Sequence, residues 1–140
     1  MKMTLREVRD HYLALAEMAD LALPAKLGYA VARNLQRLER EVKNIDKTRE
    51  NLCKQYANKD QDGEAKLIDS IVNGKKVQEY DMTPENKREY VKEYEEFLDS
   101  EVEVDIRKVN FDLIEQCEKK SQYSIPSVKN CYAMGFMMEE

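Results

Sequence analysis

Residues 24–56 read PAKLGYAVARNLQRLEREVKNIDKTRENLCKQY. Within this stretch Val31, Leu35, Leu38, Val42, Ile45, Leu52 and Tyr56 recur at alternating steps of four and three residues, and only Arg49 interrupts the series. Apolar residues at that period, with neither Gly nor Pro between Tyr29 and Tyr56, predict one long α-helix carrying a coiled-coil-like seam. At ~1.5 Å of rise per residue such a rod spans on the order of 50 Å. A domain of this size does not hide a rod of that length, so part of it is expected to pack on its own chain and part to be available to a partner.

Upstream, Thr4-Leu5-Arg6-Glu7 has the form of a capping box and predicts a helix start. Leu5, Val8, Tyr12, Leu15, Ala19 and Ala22 supply its apolar stripe, and the alanines from Ala14 to Ala25 are expected to permit close approach to a neighbour. Pro24 ends or bends this helix and is a good early residue for the next. The two together predict a helical hairpin over residues 4–57.

Downstream, Asn58-Lys59-Asp60-Gln61-Asp62-Gly63 is a turn cluster that stops the rod. Ala65–Val72 and Lys75–Met82 flank Asn73-Gly74, and that dipeptide between two such segments predicts a β-hairpin because both turn residues tolerate positive φ. Thr83-Pro84-Glu85 opens a helix whose apolar face is Tyr90, Val91, Tyr94, Phe97 and Leu98. Glu101–Ile106 alternates strictly, as a strand with one buried and one wet face does, and is expected beside the hairpin in one small antiparallel sheet. Asn110–Cys117 reads as a short helix, Ser121–Ser124 as a loop, and Pro126 as the start of a last helix through Val128, Tyr132, Phe136 and Met137. The expected fold is α+β and a single domain: a long-helix hairpin packed on a small antiparallel sheet with a crossing helix.

Composition narrows the functional classes. The 140 residues carry a formal net charge of −5, yet 42% are apolar, which describes a folded chain with a charge-rich surface. No run approaches the ~20 apolar residues that span a bilayer, and charges every few residues replace a signal core near Met1, so a cytoplasmic protein is expected. Cys53, Cys117 and Cys131 are widely separated and include no C-x-x-C pair, which predicts ordinary reduced thiols. No G-x-S-x-G, H-E-x-x-H, P-loop or G-x-G-x-x-G occurs, and His11, the one histidine, has no Ser, Cys or Asp at a meaningful spacing. The chain therefore reads as non-enzymatic and without a cofactor. Asn58, Asp60, Asp62, Gly63 and Asp69 match several positions of an EF-hand loop, but Asn replaces the first Asp, Asp replaces the last Glu, and strand follows where a helix is needed. A structural turn fits those residues better than a calcium site.

Charge is unevenly distributed. Residues 1–57 hold 11 basic and 8 acidic side chains, whereas residues 79–105 hold 11 acidic side chains against Lys87, Arg88 and Lys92. Lys26, Arg33, Arg40, Lys47 and Lys54 share one heptad position opposite the seam, with Arg37 beside them. They form either a solvated helix face or a ridge that meets an acidic partner. Glu85, Glu89, Glu93, Glu96, Asp99, Glu101, Glu103 and Asp105 are the acidic counterpart. Such a carboxylate ladder either maintains solubility or imitates phosphates in a basic nucleic-acid channel. Direct binding of nucleic acid by a net acidic chain is not expected.

The opening Met3-Thr4-Leu5-Arg6-Glu7, then Leu23-Pro24-Ala25-Lys26-Leu27-Gly28-Tyr29-Ala30, Arg33-Asn34-Leu35 and Leu38-Glu39 carry a resemblance. Lys59-Asp60-Gln61-Asp62-Gly63, Glu95-Glu96-Phe97-Leu98-Asp99, Glu101–Ile106 and the ending Phe136-Met137-Met138-Glu139-Glu140 continue it. In this order the chain resembles a family of small proteins encoded by tailed bacteriophages and prophages. The resemblance implies an assembly or accessory factor with no active site, working in the bacterial host cell. Two expectations follow: an anti-CRISPR-like inhibitor that occludes a bacterial defence nuclease, or a tail-assembly or virion-associated protein that pairs with itself or a structural protein through the long helix.

Overall fold

The computed structural model describes residues 1–139, so Glu140, the last residue of the C-terminal motif, lies outside the described residues. The chain is an α+β protein in which the long helix packs with the first helix and two small antiparallel two-stranded sheets accompany further helices. The elements in order are β1 (Lys2–Thr4), α1 (Leu5–Ala16), α2 (Ala25–Tyr56), β2 (Leu67–Val72), β3 (Lys75–Tyr80), α3 (Pro84–Leu98), β4 (Glu101–Glu103), α4 (Asp112–Glu115) and α5 (Val128–Met134). Residues 1–43 with 101–140 form one compact unit and residues 44–100 a second, and α2 supplies a stretch to each.

Helix α2 starts one residue after the proline, whose carbonyl accepts the Gly28 N–H at 2.9 Å. It is continuous for 32 residues to Tyr56. Val31, Leu38, Ile45 and Leu52 of the seam are buried, while Leu35, Val42 and Tyr56 are half-buried. The buried stripe also includes Leu27, Ala30, Asn34 and Cys53, so it is wider than a two-position seam and is the face of a globular helix.

In the first unit the capping box forms as expected. Thr4 Oγ1 accepts the Glu7 N–H at 3.1 Å, and Glu7 Oε1 accepts the Thr4 N–H at 3.2 Å. Helix α1 nevertheless ends at Ala16, short of the expected Ala22, and turns follow. Of the alanines from Ala14 to Ala25, Ala14 and Ala16 are half-buried and Ala19, Ala22 and Ala25 exposed, while Ala30 on α2 is fully buried. The segment after α1 is tied down from a distance: Ser124 N–H donates to Ala22 O at 2.7 Å and Ala22 N–H to Ser124 Oγ at 3.0 Å.

The placement of β4 corrects the sequence expectation. It pairs not with the hairpin but with β1, antiparallel, Lys2 opposite Glu103, Met3 opposite Val102 and Thr4 opposite Glu101. Charge favours this pairing: the terminal ammonium meets Glu103 Oε1 at 2.8 Å and Lys2 Nζ meets Glu101 Oε2 at 3.0 Å. A three-residue strand placed directly before a helix cap leaves no periodic signal. The inward and outward alternation of residues 101–106 does hold, with Val104 buried and Glu101, Glu103 and Asp105 exposed.

Helix α5 begins after Ser127, whose hydroxyl accepts the Asn130 N–H at 3.1 Å, and gives way to a 3-10 turn at Gly135–Met137. Of its expected stripe Met137 is buried and Phe136 half-buried, but Val128 and Tyr132 are not inward. Ala133, Met134 and Met137 are buried, while Val128 and Tyr132 are exposed at 75% and 84%.

In the second unit β2 and β3 form the expected hairpin about Asn73 (φ 53°) and Gly74 (φ 77°). The two strands make a sheet by themselves. Helix α3 is capped by Thr83, whose hydroxyl accepts the Asn86 N–H at 3.1 Å. Of its expected apolar face Leu98 is buried, Tyr90, Tyr94 and Phe97 are half-buried, and Val91 is exposed beside Pro84, Lys87, Arg88 and Lys92.

Candidate partner-binding surfaces

The first unit brings a basic and an acidic candidate together. Asn34, fully buried on α2, lies opposite the chain that leaves β4. Its Nδ2 donates to Arg107 O at 3.0 Å and to Met137 Sδ at 3.5 Å, and its Oδ1 accepts the Arg107 N–H at 2.8 Å. This clamp sets the register in which Asp105 Oδ2 accepts from Arg33 Nη2 at 3.1 Å and lies 3.8 Å from Arg37 Nη2. The Tyr29 hydroxyl and then Asp105 raise the Arg33 pKa above the ordinary arginine value. Arg33, Arg37 and Asp105 thus interact with one another. So do Glu101 with Lys2 and Glu103 with the terminal ammonium.

Lys26 has different surroundings. With Ala25, Tyr29, Arg107, Lys108, Val109, Asn110 and Leu113 it lines an open cavity of about 500 Å³, and the Arg107 guanidinium lies 5.4 Å from the Tyr29 ring centre. Arg40 and Lys47 are exposed on α2, and Lys54 meets Glu50 at 3.1 Å across one helical turn. That hydrogen bond raises the Lys54 pKa.

In the second unit Glu85, Glu89, Glu93 and Glu96 are exposed along one side of α3, and Asp99 caps its end. Glu89, Glu93 and Glu96 line a shallow depression of about 210 Å³ with Tyr56 and Lys92. The Tyr56 phenol is raised above the usual tyrosine range by burial first, then by its hydrogen bond to Glu93 and by the charges of Glu93 and Glu89. Arg49, the break in the seam, is explained here. Burial opposes its charge, but hydrogen bonding to the Tyr90 hydroxyl, with Cys53 and Tyr94 nearby, more than offsets this and raises its pKa. Tyr90 is pushed up to about 12, chiefly by burial and then by the Cys53 thiol, against the lowering effect of Arg49.

The remaining sequence candidates have structural surroundings. The Asp60 carboxylate accepts the N–H groups of Asp62 at 2.9 Å and Glu64 at 3.0 Å, Gly63 takes φ 78°, and Asp69 lies in β2. The loop is closed by its own backbone, and among the described residues no group of three or more acidic, His or Cys side chains is arranged to hold a metal ion. His11 stacks on Phe136 with ring centres 4.1 Å apart. Burial lowers its pKa, against the opposing charges of Glu7 and Asp10. Cys53 and Cys117 are buried, Cys131 is half-buried, and all three are free thiols. No helix of the described residues is long and apolar enough to cross a membrane.

Two features escaped the sequence reading. Asn34 gives no signal of burial, because a polar residue beside an apolar seam reads as surface. Both faces of the hairpin are largely exposed, Ser70 and Tyr80 being half-buried, which its turn signal does not disclose. Comparison with protein-family models, with curated proteins and with solved structures finds no match to this chain.

Proposed function

We propose that this chain is a phage-encoded, non-enzymatic protein that acts by stoichiometric binding. Its target is a bacterial defence nuclease of the CRISPR-effector type, inhibited by occlusion of its basic nucleic-acid channel in the host cytoplasm. The observation that carries this reading is the exposed row Glu85, Glu89, Glu93 and Glu96 on α3. At the helical rise these carboxylates stand about 4.5–6 Å apart along the axis. That lies between one and two steps of a B-form strand, whose phosphates rise ~3.4 Å each. The carboxylates of β4 and of Asp105 just beyond it contribute less, because Glu101, Glu103 and Asp105 already have cationic neighbours in their own unit.

The assembly reading, with pairing of copies through the long helix, has less support. Val31, Leu38, Ile45 and Leu52 of its seam are already buried within the chain.

The test is a pull-down with tagged protein from lysate of a bacterium carrying active defence systems, at two salt concentrations, beside a variant with Glu85, Glu89, Glu93 and Glu96 all changed to Lys. A stoichiometric nuclease complex that weakens with salt and disappears in the folded variant is the expected result. Capture of tail proteins, or unchanged capture by the variant, overturns the reading.

A further inference from the structure

The hairpin carries an exposed apolar set distinct from the acidic row of α3. Leu67, Ile68, Ile71, Val72 and Val77 are all exposed, on both faces of a sheet that has only two strands. Two strands alone are marginal in water, and each presents an outer row of N–H and C=O groups as a template for another strand.

The turn decides which groups those are. With Asn73 and Gly74 both at positive φ, Val72 and Lys75 form the first hydrogen-bonded pair, and bonded pairs alternate from there. The Asp81 N–H to Lys66 O bond of 2.8 Å keeps the same phase beyond the strands. Lys75, Val77 and Glu79 therefore direct their backbone groups toward β2, whereas Lys76 and Gln78 direct theirs outward.

We propose that the outer edge of β3 is a self-association site whose occupant is β3 of a second copy of this chain, antiparallel about a two-fold axis at Val77. The argument is the self-complementarity of Lys75-Lys76-Val77-Gln78-Glu79. In this register Lys75 faces Glu79 of the second copy, Glu79 faces its Lys75, and the two Val77 side chains face each other. The outward backbone groups of Lys76 and Gln78 pair with those of Gln78 and Lys76 across the axis. Lysines on an edge strand ordinarily discourage pairing. Here they oppose a carboxylate and an amide, while a register centred on Lys76 sets lysine against lysine and one centred on Gln78 sets Val77 against Glu79. Val77 lies on the same face as Ile68 and Val72, so the four-stranded sheet merges the two apolar patches of that face into one.

The experiment is sedimentation equilibrium on the full chain across micromolar concentrations, with Lys75→Glu, Glu79→Lys, the double exchange, and an equimolar mixture of the two single variants. Both side chains are exposed, and circular dichroism verifies that each variant retains the fold. The wild type is expected to dimerise. Each single variant places two like-charge pairs across the axis and weakens dimerisation by about tenfold or more. The double exchange restores the dimer. The mixture forms heterodimers, because one copy then carries two carboxylates at these positions and the other two ammonium groups, so both pairs across the axis are of opposite charge. A wild type that stays monomeric overturns the proposal, as do single variants that dimerise unchanged or a double exchange without rescue.

Discussion

Asn34 and Arg107, 73 residues apart, are joined by a two-way hydrogen bond in which one carboxamide meets both backbone groups of the other residue, at 3.0 Å and 2.8 Å. The side chain does what a neighbouring strand would do, and so continues the ladder for a segment that has left β4. Asn34 is fully buried and both bonds are part-buried, so water is a poor substitute for the carboxamide. Asn34→Ala leaves the Arg107 N–H and C=O without partners and opens a small void, and should cost about 3 kcal/mol of stability in urea unfolding. A loss under about 0.5 kcal/mol would mean that the clamp is dispensable, since that is the range of an ordinary surface change.

Helices α1 and α2 should respond to truncation according to burial, not hydrophobicity alone. Leu38 is fully buried, and Leu38→Ala should cost about 2–5 kcal/mol by lost transfer energy and an unfilled cavity. Leu13 on α1 is 57% exposed, and Leu13→Ala should lie within about 0.5 kcal/mol of wild type. Equal effects in chemical denaturation would show that the seam is not the core.

Thr4 ends one element and begins another. Thr4→Ala removes the acceptor of the Glu7 N–H and should cost about 1 kcal/mol, while Thr4→Ser should recover most of it. Thermal melts followed by circular dichroism report the difference.

Two groups make stability depend on pH in opposite directions. The His11 pKa is lowered in the folded state, so the unfolded chain binds the proton more readily. The stabilisation is complete above about pH 6.5, the unfolded value, and is lost as pH falls through the folded pKa. His11→Phe should keep the stacking on Phe136 and flatten the stability profile on the acid side.

Tyr90 behaves the other way. Its pKa of about 12 lies above the ordinary tyrosine value, so its contribution is whole below about pH 10 and is lost as pH rises toward 12. Ultraviolet titration should find late-ionising phenols, Tyr56 among them, with Tyr90 near pH 12, and Tyr90→Phe should remove that last step and its share of the alkaline loss. A Tyr90 that ionises with the other phenols would exclude the Arg49 and Cys53 environment.

Much of the local structure was legible in the residues because its causes are local. The four-and-three period of residues 31–56 needs only the helical repeat to place one side inward. The capping box at Thr4, the cap at Thr83 with Pro84, and the positive φ of Asn73 and Gly74 each depend on neighbours within a few positions. The same reasoning placed Met137 inward correctly but misjudged Val128 and Tyr132, which are exposed where Ala133 and Met134 are buried. On a seven-residue helix several stripes are equally apolar, and the surroundings choose among them. The acidic row on α3 was likewise visible as spacing, but the ion pairs of Glu101, Glu103 and Asp105 were not.

By itself the sequence determined the α+β class, the extent of α2, the hairpin turn and the helix starts, all set by backbone sterics and hydrophobic period over short separations. Only the tertiary structure decided that β4 joins β1, that Asn34 is a buried clamp, and that Arg33 and Arg37 face Asp105. Those outcomes compare the pairing energies of groups about 70–100 residues apart in the chain, and no local pattern ranks such alternatives.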